Sequence, residues 1–208
     1  MPIPSPSPRL ATEHALQLVN REIWIVTAQA GARRGGLVAT WISQASIDPE
    51  RPVMVAGIAP NHYTAELIDA AGGFGLHLLS AAQTALALNF AIGSGRERDK
   101  LANLEVLPSG GAPIIRDCLA WLECRVINRY QTGDRNYYWA DVLAAGRSLA
   151  ARDANVQTLR ERDLICAATP EQRQALQRNL HADIELQRTF VERWRENIQA
   201  EQSTAAGR

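Results

Sequence analysis

Residues 36–50 read GLVATWISQASIDPE. Leu37, Val38, Trp41 and Ile42 suit a pleated, half-buried strand. Thr40, Ser43, Gln44 and Ser46 set short polar groups among them, and Asp48-Pro49 stops the run. Proline has no backbone N–H and fixes φ, so the chain must turn there. The pattern predicts a strand whose polar end leaves backbone amides unpaired next to a Trp.

The neighbouring segments read as more strands. EIWIVTA at 22–28 is β-branched and aromatic, and GARRGG at 31–36 is a hairpin signal, so 36–46 is the partner strand. RPVMVAGI at 51–58 is almost continuously apolar, as in a strand buried on both faces. HYTAELIDAAG at 62–72 reads as a short helix closed by Gly72. FGLHLLS at 74–80 is a strand and AAQTALALNFA at 81–91 a helix. Residues 119–146 read as two long strands joined at Thr132-Gly133-Asp134. Hairpin-paired strands with short helices between them predict a mainly β fold, a closed or split antiparallel barrel over residues 12–150. A short helix capped by Thr12 would lead into it.

Residues 1–11, beginning MPIPSPSPRL, alternate proline with small residues and predict a disordered arm without the apolar core of a signal peptide. Residues 151–208 form a C-terminal helical extension. Thr169, Pro170 and Gln172 supply a cap, a first-turn proline and a capping box. Leu176, Leu180, Ile184, Val191, Trp194 and Ile198 then form one apolar stripe. That spacing serves equally a helix folded back on its own barrel and one reaching a second subunit.

The chain has 208 residues, 46% hydrophobic and 21% charged, with zero net charge. This balance excludes a general electrostatic attraction to nucleic acid or anionic membrane. No apolar run reaches the roughly 20 residues of a membrane span. Cys118, Cys124 and Cys166 are odd in number and lack a CxxC, which fits a reducing cytoplasm. Cys118 and Cys124, an even number of positions apart, would form a free thiol pair in the core. His14, His62, His77 and His181 are scattered and read as surface or packing residues, with no metal site among them. GxSxG, HExxH, Walker and GxGxxG signatures are absent. No catalytic side chain is therefore named, and a borrowed cofactor would carry the chemistry. The polar end of the 36–50 strand could hold a ring rich in carbonyls and nitrogens, such as an isoalloxazine, or simply face water as an edge strand.

Taken in order, these segments resemble the flavin reductase-like family with the FMN-binding split barrel. IWIVTA is similar to its first strand, and GLVATWISQASIDPERPVMVAGI to its central motif. APNHYTAELI resembles its Asn-x-x-Thr segment before a helix, and GGFGLHLLSAAQTALALNFA its Phe-strand-helix-Phe section. GRERDKL resembles its basic loop and LAWLECRV its Leu-x-Cys strand, while GDRNYYWADV stands in the place of its Gly-Asp-His turn. The likeness runs over residues 16–146.

The resemblance implies an NAD(P)H:flavin oxidoreductase binding FMN, with FAD as the alternative, and NADH or NADPH as co-substrate. It implies that Thr40, Trp41, Ile42 and Ser43 line the ring and ribityl chain. Ala45, Ser46 and Ile47 would meet the ring's polar edge. Asn61, His62, Tyr63 and Thr64 would approach the phosphate at a helix N-terminus. Phe90 and the basic group Arg96, Arg98 and Lys100 would stand near the cofactor, one of the three meeting the phosphate. Gly133, Asp134 and Arg135 would form the nicotinamide turn, with Arg135 replacing the family's usual His and His77 standing where Asn is common. It also implies a homodimer and a monooxygenase or other acceptor as partner. The alternative reading is an FMN-binding electron-transfer module reduced by a protein, as in modules fused to flavodiiron proteins.

Overall fold

The computed structural model describes residues 7–206 apart from 108 and 154. The expected arm at 1–6 lies outside the described residues. The first helix, α1 (Pro8–Leu16), begins four residues before Thr12, with the Ser7 hydroxyl accepting from the Leu10 amide at 3.4 Å. Residues 8–11 are therefore helical, a correction to the arm's expected extent.

Among the described residues nine strands follow: β1 (Trp24–Ala30), β2 (Arg33–Ala39), β3 (Ile42–Gln44), β4 (Val53–Ile58), β5 (Gly73–Leu78), β6 (Val106–Leu107), β7 (Ile114–Ile115), β8 (Ala120–Gln131) and β9 (Asn136–Arg147). The helices between and after them are α2 (Tyr63–Ala71), α3 (Thr84–Ala91), α4 (Glu161–Ala167) and the 37-residue α5 (Pro170–Ala206). Seven strands make one antiparallel sheet in the order β2-β1-β5-β8-β9-β4-β3, and β6 and β7 pair separately.

The two outermost strands, β2 and β3, are joined only through Thr40 and Trp41. Three Cα steps span about 11 Å at full extension. The sheet must therefore curl until its edges nearly meet, which makes it a split barrel. The strand expected over 36–46 is thus two strands, broken at Thr40–Trp41, where the chain passes from one edge to the other. The Trp41 carbonyl accepts from the Gly57 amide at 2.8 Å, fixing the start of the β3–β4 pairing.

The first core cluster includes Val26, Met54, Ile58, Leu67, Ile68, Phe74, Leu76 and Tyr138, and draws on α2 and on most of the sheet. The second includes Ile23, Ile25, Leu79, Leu88, Phe90, Leu101, Leu159 and Leu164, and draws on α3 and α4. Ile25 and Val26, successive residues of β1, point to different clusters because strand side chains alternate. Full burial of each such side chain contributes about 1.5–3 kcal/mol. β4 is less covered than its apolar run suggests: Met54, Ala56 and Ile58 are buried, while Val53 and Val55 are half-buried.

Gly72 ends α2 with φ of 70°, a left-handed conformation that glycine adopts without strain. His77 is fully buried between strands: Nδ1 donates to the Ile25 carbonyl at 3.1 Å, and Nε2 accepts from the Ile115 amide at 3.0 Å. Burial pushes its pKa down to about 4, against the raising effect of the Ile25 hydrogen bond. Cys118 and Cys124 are free and buried, and burial raises each thiol to about 12. They belong to different clusters, Cys118 to the second and Cys124 to the first. The expected pair is instead two separate packing thiols. Among the described residues, no helix is long and apolar enough to cross a membrane.

Candidate functional site

The split in the barrel places the polar strand end where a ligand can reach it. Trp41 is 41% exposed and Ile47, at the tip of the turn, 99%. The turn is built by its own side chains. Asp48 Oδ1 accepts from the Glu50 amide at 2.9 Å, and Ser46 Oγ accepts from the Val53 amide at 3.0 Å while donating to the Arg51 carbonyl at 2.8 Å. The Ala45 amide bonds the Val53 carbonyl at 2.7 Å. Ala45's amide and Ser46's hydroxyl are thus structural, whereas among the described residues the Ser46 and Ile47 amides have no partner. Ser43 Oγ bonds the Gln44 carbonyl at 3.1 Å, and Gln44 Nε2 the Ser46 carbonyl at 2.6 Å.

A second set of free donors lies at the start of α2. Its N-cap, His62, makes no side-chain cap, and its carbonyl already accepts from Ala65. Among the described residues the Tyr63 and Thr64 amides are unpaired, a geometry that favours an anion. Thr64 itself is buried, and the Tyr63 ring lies against Gly35 and Gly95, where a Cβ would come within 3.1 Å and 3.0 Å of it. Arg96 stacks over that ring at 5.3 Å, bonds the Asn61 carbonyl at 3.4 Å and pairs with Glu66. Of the three basic residues considered from the sequence, Arg96 is the one beside Asn61 and Tyr63. Arg98 bonds the Asn89 and Ile92 carbonyls at 2.6 and 3.1 Å, and Lys100 Nζ the Phe90 carbonyl at 2.7 Å. Both cap the carboxyl end of α3, where burial and then Arg98 lower Lys100 to about 8. Phe90 is 1% exposed in the second core cluster, and a Cβ on Gly36 would lie 2.8 Å from its ring.

The middle of α5 lies on the remaining candidates. Asp183 accepts from Asn61 Nδ2 through Oδ1 at 2.9 Å and pairs with His62 Nε2 through Oδ2 at 2.9 Å. Gln187 Oε1 accepts from Arg135 at 2.8 Å, and the Arg135 guanidinium sits 4.4 Å over the Trp41 ring. Arg135 also lies 3.5 Å from the Asp134 carboxylate. Gly133 lets the helix come this close, since a Cβ there would lie 2.9 Å from the Val191 nitrogen. A cavity of about 550 Å³ remains between Pro60, Asn61 and the Thr132–Gly133 turn on one side and Phe190, Arg193 and Trp194 of α5 on the other. Among the described residues, Asn61 Oδ1 and Gln187 Nε2 are buried without a partner.

Trp41, Asn61, His62, Gly133, Asp134 and Arg135 are therefore brought together under one helix. Phe90 and Arg98 are taken up by packing and by the end of α3. Asp183 and Gln187 were not foreseen. Their signal was positional: two polar residues in register with Leu176, Leu180, Val191 and Trp194 on the helix stripe.

The residues present fit a flavin mononucleotide. Free amides at Ser46 and Ile47 suit the polar edge of a ring, Trp41 supplies an apolar wall, and the amino end of α2 with Arg96 suits a phosphate.

The profile described as flavin reductase like domain matches residues 16–159. The diflavin flavoprotein A 1 of Synechocystis sp. is 29% identical over 132 residues, 62% of this chain and 23% of that protein. The chain spans about a quarter of the length of the diflavin flavoproteins it matches. Among solved structures, an NADH:FAD oxidoreductase of Streptomyces globisporus superimposes with a TM-score of 0.62 at 21% identity, over 76% of this chain and 90% of that one. Nitrilotriacetate monooxygenase component B of Mycobacterium thermoresistibile gives 0.62 at 24%, over 73% and 82%. At these identities the likeness is one of fold. The profile match spans most of the chain and covers the split barrel, so the chain belongs to the flavin reductase-like family.

Proposed function

We propose that this protein is an NAD(P)H:flavin oxidoreductase that binds FMN at the split of its barrel. The observation that carries the reading is the convergence of Trp41, Asn61, His62 and Arg135, far apart in sequence, beneath the middle of α5. A bound flavin supplies the chemistry by accepting a hydride equivalent from the nicotinamide. The protein's task is to hold and orient. Trp41 bounds the ring's apolar side, the Ser46 and Ile47 amides give fixed dipoles for charge on its polar edge, and the Tyr63 and Thr64 amides with Arg96 hold the phosphate. Arg135 offers a cation to the nucleotide of the donor. No general base is needed.

Two copies would pair as a homodimer, a reading supported by exposed Ile127, Tyr130, Trp139 and Leu143 on the β8–β9 hairpin. The acceptor of reduced flavin would be a monooxygenase or another flavin or electron acceptor in the cytoplasm. The test is steady-state oxidation of NADH or NADPH with catalytic FMN. Turnover dependent on added FMN supports the reading, and none with either donor removes it.

A second reading has its own observation. α5 rests on the Gly133-Asp134-Arg135 turn expected to take nicotinamide. That arrangement, with the similarity to diflavin flavoproteins, favours an electron-transfer module whose FMN is reduced by a protein. FMN that stays through gel filtration, yet is reduced by neither pyridine nucleotide, would select it.

A further inference from the structure

Asp183 occupies a seat built for an anion. Its two carboxylate oxygens take one hydrogen bond each, at 2.9 Å, from Asn61 Nδ2 and His62 Nε2. Those two residues sit at the amino end of α2, next to the unpaired Tyr63 and Thr64 amides. On the flavin reading above, the phosphate of FMN lies against the Tyr63 and Thr64 amides, beside the Asn61 and His62 groups that Asp183 occupies. A carboxylate and a dianionic phosphate disfavour each other there, because like charges at close range repel.

We propose that Asp183 is a specificity-determining residue, an internal stand-in for the flavin phosphate, which makes α5 a strap that a phosphorylated flavin must displace and a neutral one need not. The proposal rests on the flavin reading. Three features of α5 support a strap that parts. Between Asp183 and Gln187 it is tied to the barrel by side-chain hydrogen bonds, to Asn61, His62 and Arg135. Apolar Leu180, Ile184 and Leu186, at the same level of the helix, are 57%, 44% and 46% exposed, so little apolar burial holds this stretch down. Among the described residues Gln187 Nε2 and Asn61 Oδ1 are buried with no partner, so the closed contact leaves polar groups unsatisfied.

The consequence is a difference between two ligands that share one ring. Riboflavin has the isoalloxazine and ribityl chain of FMN but no phosphate. Its binding should be insensitive to the charge at residue 183, whereas FMN should bind more tightly once that charge is gone.

The experiment titrates the full-length protein, Asp183→Asn and Asp183→Ala with FMN and with riboflavin, following flavin fluorescence. The expected result is an FMN affinity raised about tenfold or more in both variants, the scale of one charge-assisted hydrogen bond, with riboflavin unchanged. FMN affinity that is unchanged or weaker in the variants, with riboflavin still bound, would overturn the proposal and leave the flavin reading intact. Absence of binding by either flavin to any of the three proteins would remove the flavin reading and the proposal together. Hydrogen exchange of the unaltered protein supplies a check that needs no variant. FMN should raise exchange across residues 180–191 and riboflavin should not. Equal protection with both ligands would contradict a displaced strap.

Discussion

The Arg135 guanidinium lies 4.4 Å over the ring of Trp41 and is tied by a 2.8 Å hydrogen bond to Gln187 of α5. One arginine thereby joins three parts of the chain: the crossing between barrel edges, the β8–β9 turn and the C-terminal helix. Such a cation on an indole contributes about 0.5–2 kcal/mol, depending on how far water is excluded. Arg135→Ala is expected to raise the Michaelis constant for NAD(P)H more than it weakens FMN binding. Unchanged kinetics would place the nicotinamide away from this turn.

Thr40 stands at the crossing itself, between β2 and β3 and next to Trp41. Thr40→Arg would put bulk and charge at the expected edge of the ring. It should abolish flavin binding while circular dichroism and size-exclusion behaviour stay those of the unaltered protein. A folded variant with normal FMN affinity would take Thr40 out of the site.

Phe90 separates packing from binding. It is 1% exposed, in contact range of Gly36 and surrounded by the second core cluster. Phe90→Ala should cost about 3–5 kcal/mol of stability, and Phe90→Leu less. The leucine variant should melt earlier in thermal denaturation and still bind FMN as before. A lost FMN affinity without a lower Tm would return Phe90 to the cofactor.

His77 gives the fold an acid limit. The imidazole is neutral in the folded chain, with its pKa pushed down to about 4 from the ordinary 6.5, chiefly by burial. Protonation would set an Nε2–H against the Ile115 amide that now donates to it. The unfolded chain binds this proton more readily, so stability is complete above about pH 6.5 and falls as pH drops toward 4. The loss from this residue amounts to roughly 3 kcal/mol over that window. Urea unfolding at pH 7, 6 and 5 should show the decline, and His77→Gln should flatten it. An equal decline in the variant would assign the acid sensitivity to other groups.

Much of the barrel was legible in the sequence because its signals are local. The hairpin at GARRGG, the Gly72 cap and the Thr169 capping box each appear where the residues predict them; in the capping box, Thr169 Oγ1 accepts from the Gln172 amide at 3.3 Å and Gln172 Oε1 from the Thr169 amide at 2.8 Å. The break at Thr40–Trp41 was not legible, since a strand that changes edges keeps its strand-like residues. Nor was the use of Ser46, whose hydroxyl serves the turn as well as it would serve a ligand. The seat of α5 stayed open because helical spacing reports which face is apolar, not which surface it meets. Its polar members, Asp183 and Gln187, hydrogen-bond residues of the site; their register places them on the stripe but does not name the residues they meet.

The most direct test is the anaerobic visible spectrum of the purified, FMN-loaded protein before and after NADH, then NADPH. Loss of the flavin band with either nucleotide is the predicted result, and it names the donor. A flavin that stays oxidised with both, yet loses its band with dithionite, would contradict the reductase and assign the barrel to electron transfer from a protein donor.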